Sequence, residues 1–230
     1  MSIVYGVFDG VHRAHQALLS QKPAIVYVLP PQTKQVLTTL EEKQALLTAY
    51  AGPTAHIEFV QQVPKLSSKK VLSLKPMLYG NLPISSERIQ TALLAAQIED
   101  AEAMLGYPYT LSGEVVYGRQ LGRTVGMPTV NLKIADEKLL PAHGVYGTIT
   151  IVDGVRYLGV TSIGLRPTVD NLPHITIETF LLHFNRDLYG QHISLELKTF
   201  IRPITKFESL EAVRKKVDED VHFVMAKNLL

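Results

Sequence analysis

Apolar residues recur along the chain in two rhythms, and the change between them falls near residue 107. Before it, short β-branched runs bounded by turn residues, SIVYGVF (2–8) and AIVYVL (24–29), read as buried strands. TLEEKQALLTAY (39–50) and SERIQTALLAAQIEDAEAML (86–105) place apolar residues three and four apart, the period of helices that bury one face, with Ser86 suited to an N-cap. Strands alternating with helices predict a parallel α/β layer.

Past GYPYTLSG (106–113) the period shortens to two. TLSGEVVYG (110–118), GVYGTITIV (144–152), VRYLGVTSIG (155–164), HITIETFLLHF (174–184) and HISLELKTFI (192–201) are candidate strands separated by turn signals. Asp153-Gly154 is the pair favoured in two-residue hairpins. In 192–201, Ile193, Leu195, Leu197 and Ile201 face one way and Ser194, Glu196 and Lys198 the other, as in a half-buried antiparallel strand. Strands at this spacing predict a small barrel or a sandwich. A helix from about Ser209 is expected to close the chain, with Leu210, Val213, Val217, Val221 and Val224 on one face. Two domains are expected, 1–106 and 107–230.

Composition narrows the function classes. The chain of 230 residues is 46% hydrophobic and 19% charged, as in soluble globular proteins. Lys and Arg number 23 against 21 Asp and Glu, and no basic run marks a nucleic-acid track. There is no cysteine, hence no disulfide and no thiolate nucleophile or metal ligand. The N-terminus lacks a basic leader with an apolar core, and apolar runs are too short to span a bilayer, so a cytoplasmic protein without membrane segments is expected.

Candidate chemistry lies in the second half. In GRTVGMPTVNL (122–132), Gly122 and Gly126 allow close backbone approach, and Pro128 pushes Met127 into an extended conformation. Thr129 and Asn131, two apart on a strand, put a hydroxyl and an amide oxygen on one face, where they suit a hard cation such as Mg2+; Arg123 suits an anion. Glu178 shares its face with Phe180, Leu182 and Phe184, and a carboxylate among apolar groups is costly to bury unless paired. With Tyr189-Gly190 in a turn and Arg202 ending the last strand, the half holds the parts of a phosphoryl-transfer site: phosphate loop, cation ligands, base and basic side chains.

GEVVYGRQLGRTVGMPTVNL, PAHGVYG, SIGLRPT, IETFLLHFNRDLYG and FIRPITKFESLEAV occur in the order found in riboflavin kinase, which residues 107 to about 225 resemble. The resemblance implies a six-stranded antiparallel β-barrel with a C-terminal helix, acting on ATP and riboflavin with Mg2+. By position it implies Thr129 and Asn131 as Mg2+ ligands, Gly118, Gly122 and Arg123 over the ATP phosphates, and Tyr189 at the nucleotide. It implies Glu178 as the base for the riboflavin 5′-hydroxyl, and Arg202 and Phe207 in the segment that covers the flavin. Val130 and Ile204 depart from the family pattern, which usually has alanine and often an acidic residue there.

The first half resembles the Rossmann-like nucleotidyltransferase domain of bifunctional riboflavin kinase/FAD synthetases. GVFDGVHRAHQALL (6–19) keeps His12 and His15 of the family pattern, but Val7 replaces asparagine and Ala14 a glycine. In ISSERIQ (84–90), Glu87 and Gln90 stand where the family has threonine and arginine. Several dozen residues that the family carries between KLSSKKVLSLKPMLYG (65–80) and NLPISS (81–86) have no counterpart. The expectation is a riboflavin kinase behind a shortened domain that no longer adenylates FMN. A bifunctional enzyme that also makes FAD and a flavin-binding regulator are the alternatives.

Overall fold

The computed structural model describes residues 1–66, 69–118, 126–166 and 174–230. The chain forms two compact units that interleave in sequence. One comprises Met1–Ala92, Asp100–Tyr107 and Asp136–Leu140; the other comprises Leu93–Glu99, Pro108–Ala135 and Pro141–Leu230.

In the first unit the apolar runs become β1 (Ser2–Gly6), β2 (Ile25–Val28) and β3 (His56–Phe59), joined by β4 (Lys70–Val71) in a parallel sheet of order β3-β2-β1-β4. Helix α1 (Arg13–Leu19) connects β1 to β2, and α2 (Leu40–Ala51) connects β2 to β3. Val4, Val26 and Val28 from the sheet pack with Leu19 and Leu47 from the helices in one core. Thr39 caps α2 in a reciprocal capping box with Glu42, which satisfies two backbone N–H groups at the helix start.

Two expectations change here. The pattern over 86–105 gives two helices, α3 (Ser86–Leu94) and α4 (Ile98–Leu105), because Ala96 adopts φ 59° and breaks the ladder between them. Ser85, rather than Ser86, caps α3: its hydroxyl accepts from the Arg88 N–H, while the Ser86 hydroxyl donates to the Asp9 carbonyl. Ahead of α3, β5 (Leu78–Tyr79) and β6 (Leu82–Pro83) pair as a tight hairpin turning on Gly80 and Asn81.

The second unit is a closed antiparallel barrel of six strands: β7 (Thr110–Val116), β8 (Thr129–Ile134), β9 (Gly144–Val152), β10 (Val155–Arg166), β11 (His174–Leu181) and β12 (His192–Arg202). Their order around the barrel is β10-β11-β8-β7-β12-β9. Asp153 and Gly154 take positive φ in the β9–β10 turn, as their residue types predict. Along the strands, alternate residues enter the interior. There the buried hydroxyls of Thr148, Thr161 and Thr179 form a hydrogen-bonded chain at 2.8 and 2.9 Å. The outer face of β9 and β10 is covered by α5 (Leu210–Ala226), whose Val224 packs on Val145 and Val160. The alternation in β12 breaks at two register shifts, between Leu197 and Thr199 and between Phe200 and Arg202. Ile201 therefore leaves the face of Leu195 and Leu197 and packs with Val145, Val160 and Val224. No helix among the described residues is long and apolar enough to cross a membrane.

Candidate active site

The register of the barrel brings the predicted polar residues together. Asn131 on β8 stands opposite Glu178 on β11, and Thr129 opposite Phe180. Residues opposite one another in an antiparallel pair project to the same side, with Cβ atoms about 4.5–5.5 Å apart. Thr129, Asn131 and Glu178 thus share a face, the outer one, away from the threonine-lined interior. On the far side of β11, Ser162 stands opposite Glu178. Gly118 lies against this group: a Cβ there would sit 2.3–2.6 Å from the Asn131 amide atoms. Only a residue without a side chain lets the backbone pass so close. Gly122 and Arg123 lie outside the described residues.

Two cavities meet at Thr129. One, of about 310 Å³, is walled by Met127, Thr129, Glu178, Phe180, Arg202 and Phe207, with α5 contributing Val213, Val217 and Asp220. The other, of about 420 Å³, is lined by Pro128, Thr129, Phe184, Arg186, Asp187 and Tyr189. Its Tyr189 ring stacks on Tyr117 with centroids 3.8 Å apart. Phe184 thus faces the second cavity instead of sharing the face of Glu178. β11 ends at Leu181, and His183 at φ 56° turns the chain before Phe184 is reached.

A family profile described as "Flavokinase: Riboflavin kinase" matches residues 105–228, more than half of the chain. The chain belongs to the riboflavin kinase family. Curated relatives extend the likeness over both halves of this family member. The "Bifunctional riboflavin kinase/FMN adenylyltransferase" of Listeria monocytogenes is 36% identical, with 94% of this chain and 88% of the relative covered. Its namesake in Escherichia coli K12 is 29% identical, with 95% and 90% covered. The Listeria alignment runs over 277 positions but takes in about 216 of the 230 residues here, so about sixty positions face a gap. A crystal structure described as a macrolide-efflux protein from Streptococcus pneumoniae shares the fold, with TM-score 0.85, 23% identity and 97% of this chain and 93% of that one covered.

The barrel of this riboflavin kinase family member also holds site features that sequence reasoning missed. Asp220 pairs with Arg202 on the wall of the Glu178 cavity, and Tyr117 backs Tyr189. The signal for Asp220 was a carboxylate set in the valine stripe of α5; Tyr117 carried none.

In the first unit, His12 and His15 are stacked with ring centroids 3.7 Å apart, and the Nδ1 atom of each is buried without a hydrogen-bond partner. Burial pushes the His12 pKa down to about 4 and, with the neighbouring His12 and Lys43, that of His15 down to about 3. Both rings are therefore neutral at pH 7. Bonds from its own backbone N–H and from Ser85 hold Glu87 below the usual carboxylate range. The Asp9 carboxylate accepts from the Leu37 and Thr38 N–H groups and from the Gln90 amide.

Proposed function

We propose that residues 107–230 form the kinase domain and transfer the γ-phosphate of ATP to the 5′-hydroxyl of riboflavin, giving FMN and ADP. The observation that carries this is Thr129, which borders both cavities and lines one of them together with Glu178. ATP occupies the cavity of Tyr189, its adenosine end toward the Tyr117–Tyr189 stack. Riboflavin occupies the cavity under α5, between Arg202, Phe207 and Phe180, with its hydroxyl toward Glu178. The two substrates meet at Thr129. As the hydroxyl oxygen bonds to the γ-phosphorus and the bond to ADP breaks, the Glu178 carboxylate accepts the hydroxyl proton.

Thr129 and Asn131 fit a magnesium ion: two neutral oxygen donors on one face suit a cation that keeps phosphate and water oxygens in its shell. Bound there, Mg2+ would neutralise charge on the phosphates. Gly118, without a side chain, leaves room for the Asn131 amide beside the backbone.

The first unit does not adenylate FMN in this reading. Two neutral histidines offer no charge to a departing pyrophosphate, Glu87 opposes it, and a two-residue turn at Gly80-Asn81 stands where the family carries its further segment. Incubation of the pure protein with riboflavin and MgATP, followed by chromatography of the flavins, tests these assignments. FMN alone is expected. FMN with FAD would restore the bifunctional enzyme, and neither would leave the flavin-binding regulator.

A further inference from the structure

Asp220 stands in the buried stripe of α5 with 2% of its surface exposed. A carboxylate removed from water needs a partner, and here it is Arg202. The Arg202 Nε donates to both carboxylate oxygens at 3.0 and 3.1 Å, and Nη2 donates to one of them at 2.8 Å. Nη1 reaches the Pro203 carbonyl at 3.3 Å, and the guanidinium lies 5.6 Å from the centre of the Phe207 ring. The second register shift in β12 turns Arg202 toward α5. The pair therefore ties the end of β12 to the middle of α5, and Ile204, Thr205 and Phe207, in the chain between them, wall the cavity that contains Glu178.

A buried ion pair is weak evidence for stability, since desolvation offsets the attraction and well-packed apolar residues hold two elements together as well or better. An apolar pair would lack a charged plane of fixed orientation on the cavity wall. A fork held by three contacts to one carboxylate fixes that plane, which a lysine cannot do. We infer that Asp220 is a positioning residue for the flavin: through Arg202 it sets the guanidinium and Phe207 at the angle at which they meet the flat ring system of riboflavin. The inference rests on the kinase reading above.

The test compares the full-length wild type with Arg202→Met/Asp220→Leu, which removes both charges but keeps apolar volume, and with Arg202→Lys, which keeps the charge but loses the fork. For each protein, thermal melting, the riboflavin Kd from quenching of flavin fluorescence, and KM for riboflavin and for ATP are measured. The double variant is expected to melt close to the wild type. Its riboflavin Kd and KM should rise about tenfold or more, the equivalent of about 1.4 kcal/mol, with the KM for ATP unchanged. Arg202→Lys should move the same constants in the same direction. A folded double variant that binds riboflavin like the wild type overturns the inference and leaves the pair structural. If the double variant does not fold, Arg202→Lys decides by the same constants. A wild type that binds riboflavin but makes no FMN removes the kinase reading, while the Kd comparison still decides the role of Asp220. A wild type that does not bind riboflavin removes both.

Discussion

Glu178 and Asn131 face one another across two strands, and Gly118 presses on the second of them. Glu178→Gln keeps the shape of the carboxylate but cannot take a proton, so kcat should fall by about 10²–10⁴-fold while riboflavin still binds. Single-turnover FMN formation checks this, and near-normal turnover would remove Glu178 from its role. Gly118→Ala carries no chemistry of its own, yet its methyl group would collide with the Asn131 amide and move it. The expected result is a raised KM for ATP, partly restored by excess Mg2+, with the melting temperature little changed. A variant with wild-type KM would show that Asn131 is free to shift without consequence. That Thr129 and Asn131 share a face was readable at this scale because a strand fixes which neighbours point together. The pairing of Arg202 with Asp220 was not, since an arginine at a strand end does not name its partner on a distant helix.

Elements decide where the period of the sequence is interrupted. Ala96 splits one helical pattern into two helices, the register shifts in β12 move Ile201 and Arg202 to the α5 side, and the turn at His183 moves Phe184 to the second cavity. None of these breaks involves a residue whose type demands it, so backbone pattern alone could not locate them. The start of α1 carries a consequence for pH. His12 and His15 have folded pKa values of about 4 and about 3, below the ordinary 6.5. As pH falls through 6.5 the unfolded chain takes up protons that the folded unit refuses. Their contribution to stability is thus complete above 6.5 and declines as pH falls toward 4 and 3. Each pKa unit corresponds to about 1.4 kcal/mol, so the coupled pair accounts for several kcal/mol at most. Melting of the first unit should drop between pH 7 and pH 5, and His12→Gln/His15→Leu should flatten that slope. Equal melting of the wild type at both pH values would mean the rings are not buried as described.

For the whole molecule, the interleaving of units matters more than the change of rhythm at 107. Leu93–Glu99 belong to the barrel unit, where the Thr199 hydroxyl donates to Glu99 at 2.7 Å and the Ala142 N–H to the Leu93 carbonyl at 3.0 Å. Two hydrogen bonds contribute about 1–3 kcal/mol together. Residues 107–230 expressed alone should still convert riboflavin to FMN, and residues 93–230 should melt several degrees higher. Equal melting of the two fragments would show that the earlier segment adds nothing to the barrel.

The sequence by itself determined what depends on neighbours along the chain. Periods of two and of three to four set strand against helix, Asp153-Gly154 set a hairpin, and the spacing of Thr129 and Asn131 put a hydroxyl and an amide oxygen on one face. Only the tertiary structure decided what depends on closure of the barrel: that this face is the outer one beneath α5, that Thr129 joins two cavities, and that Asp220 holds Arg202. The physical reason is that a strand's period states which residues point together but not toward what, and that pairing across 18 residues of sequence is selected by burial in the finished fold.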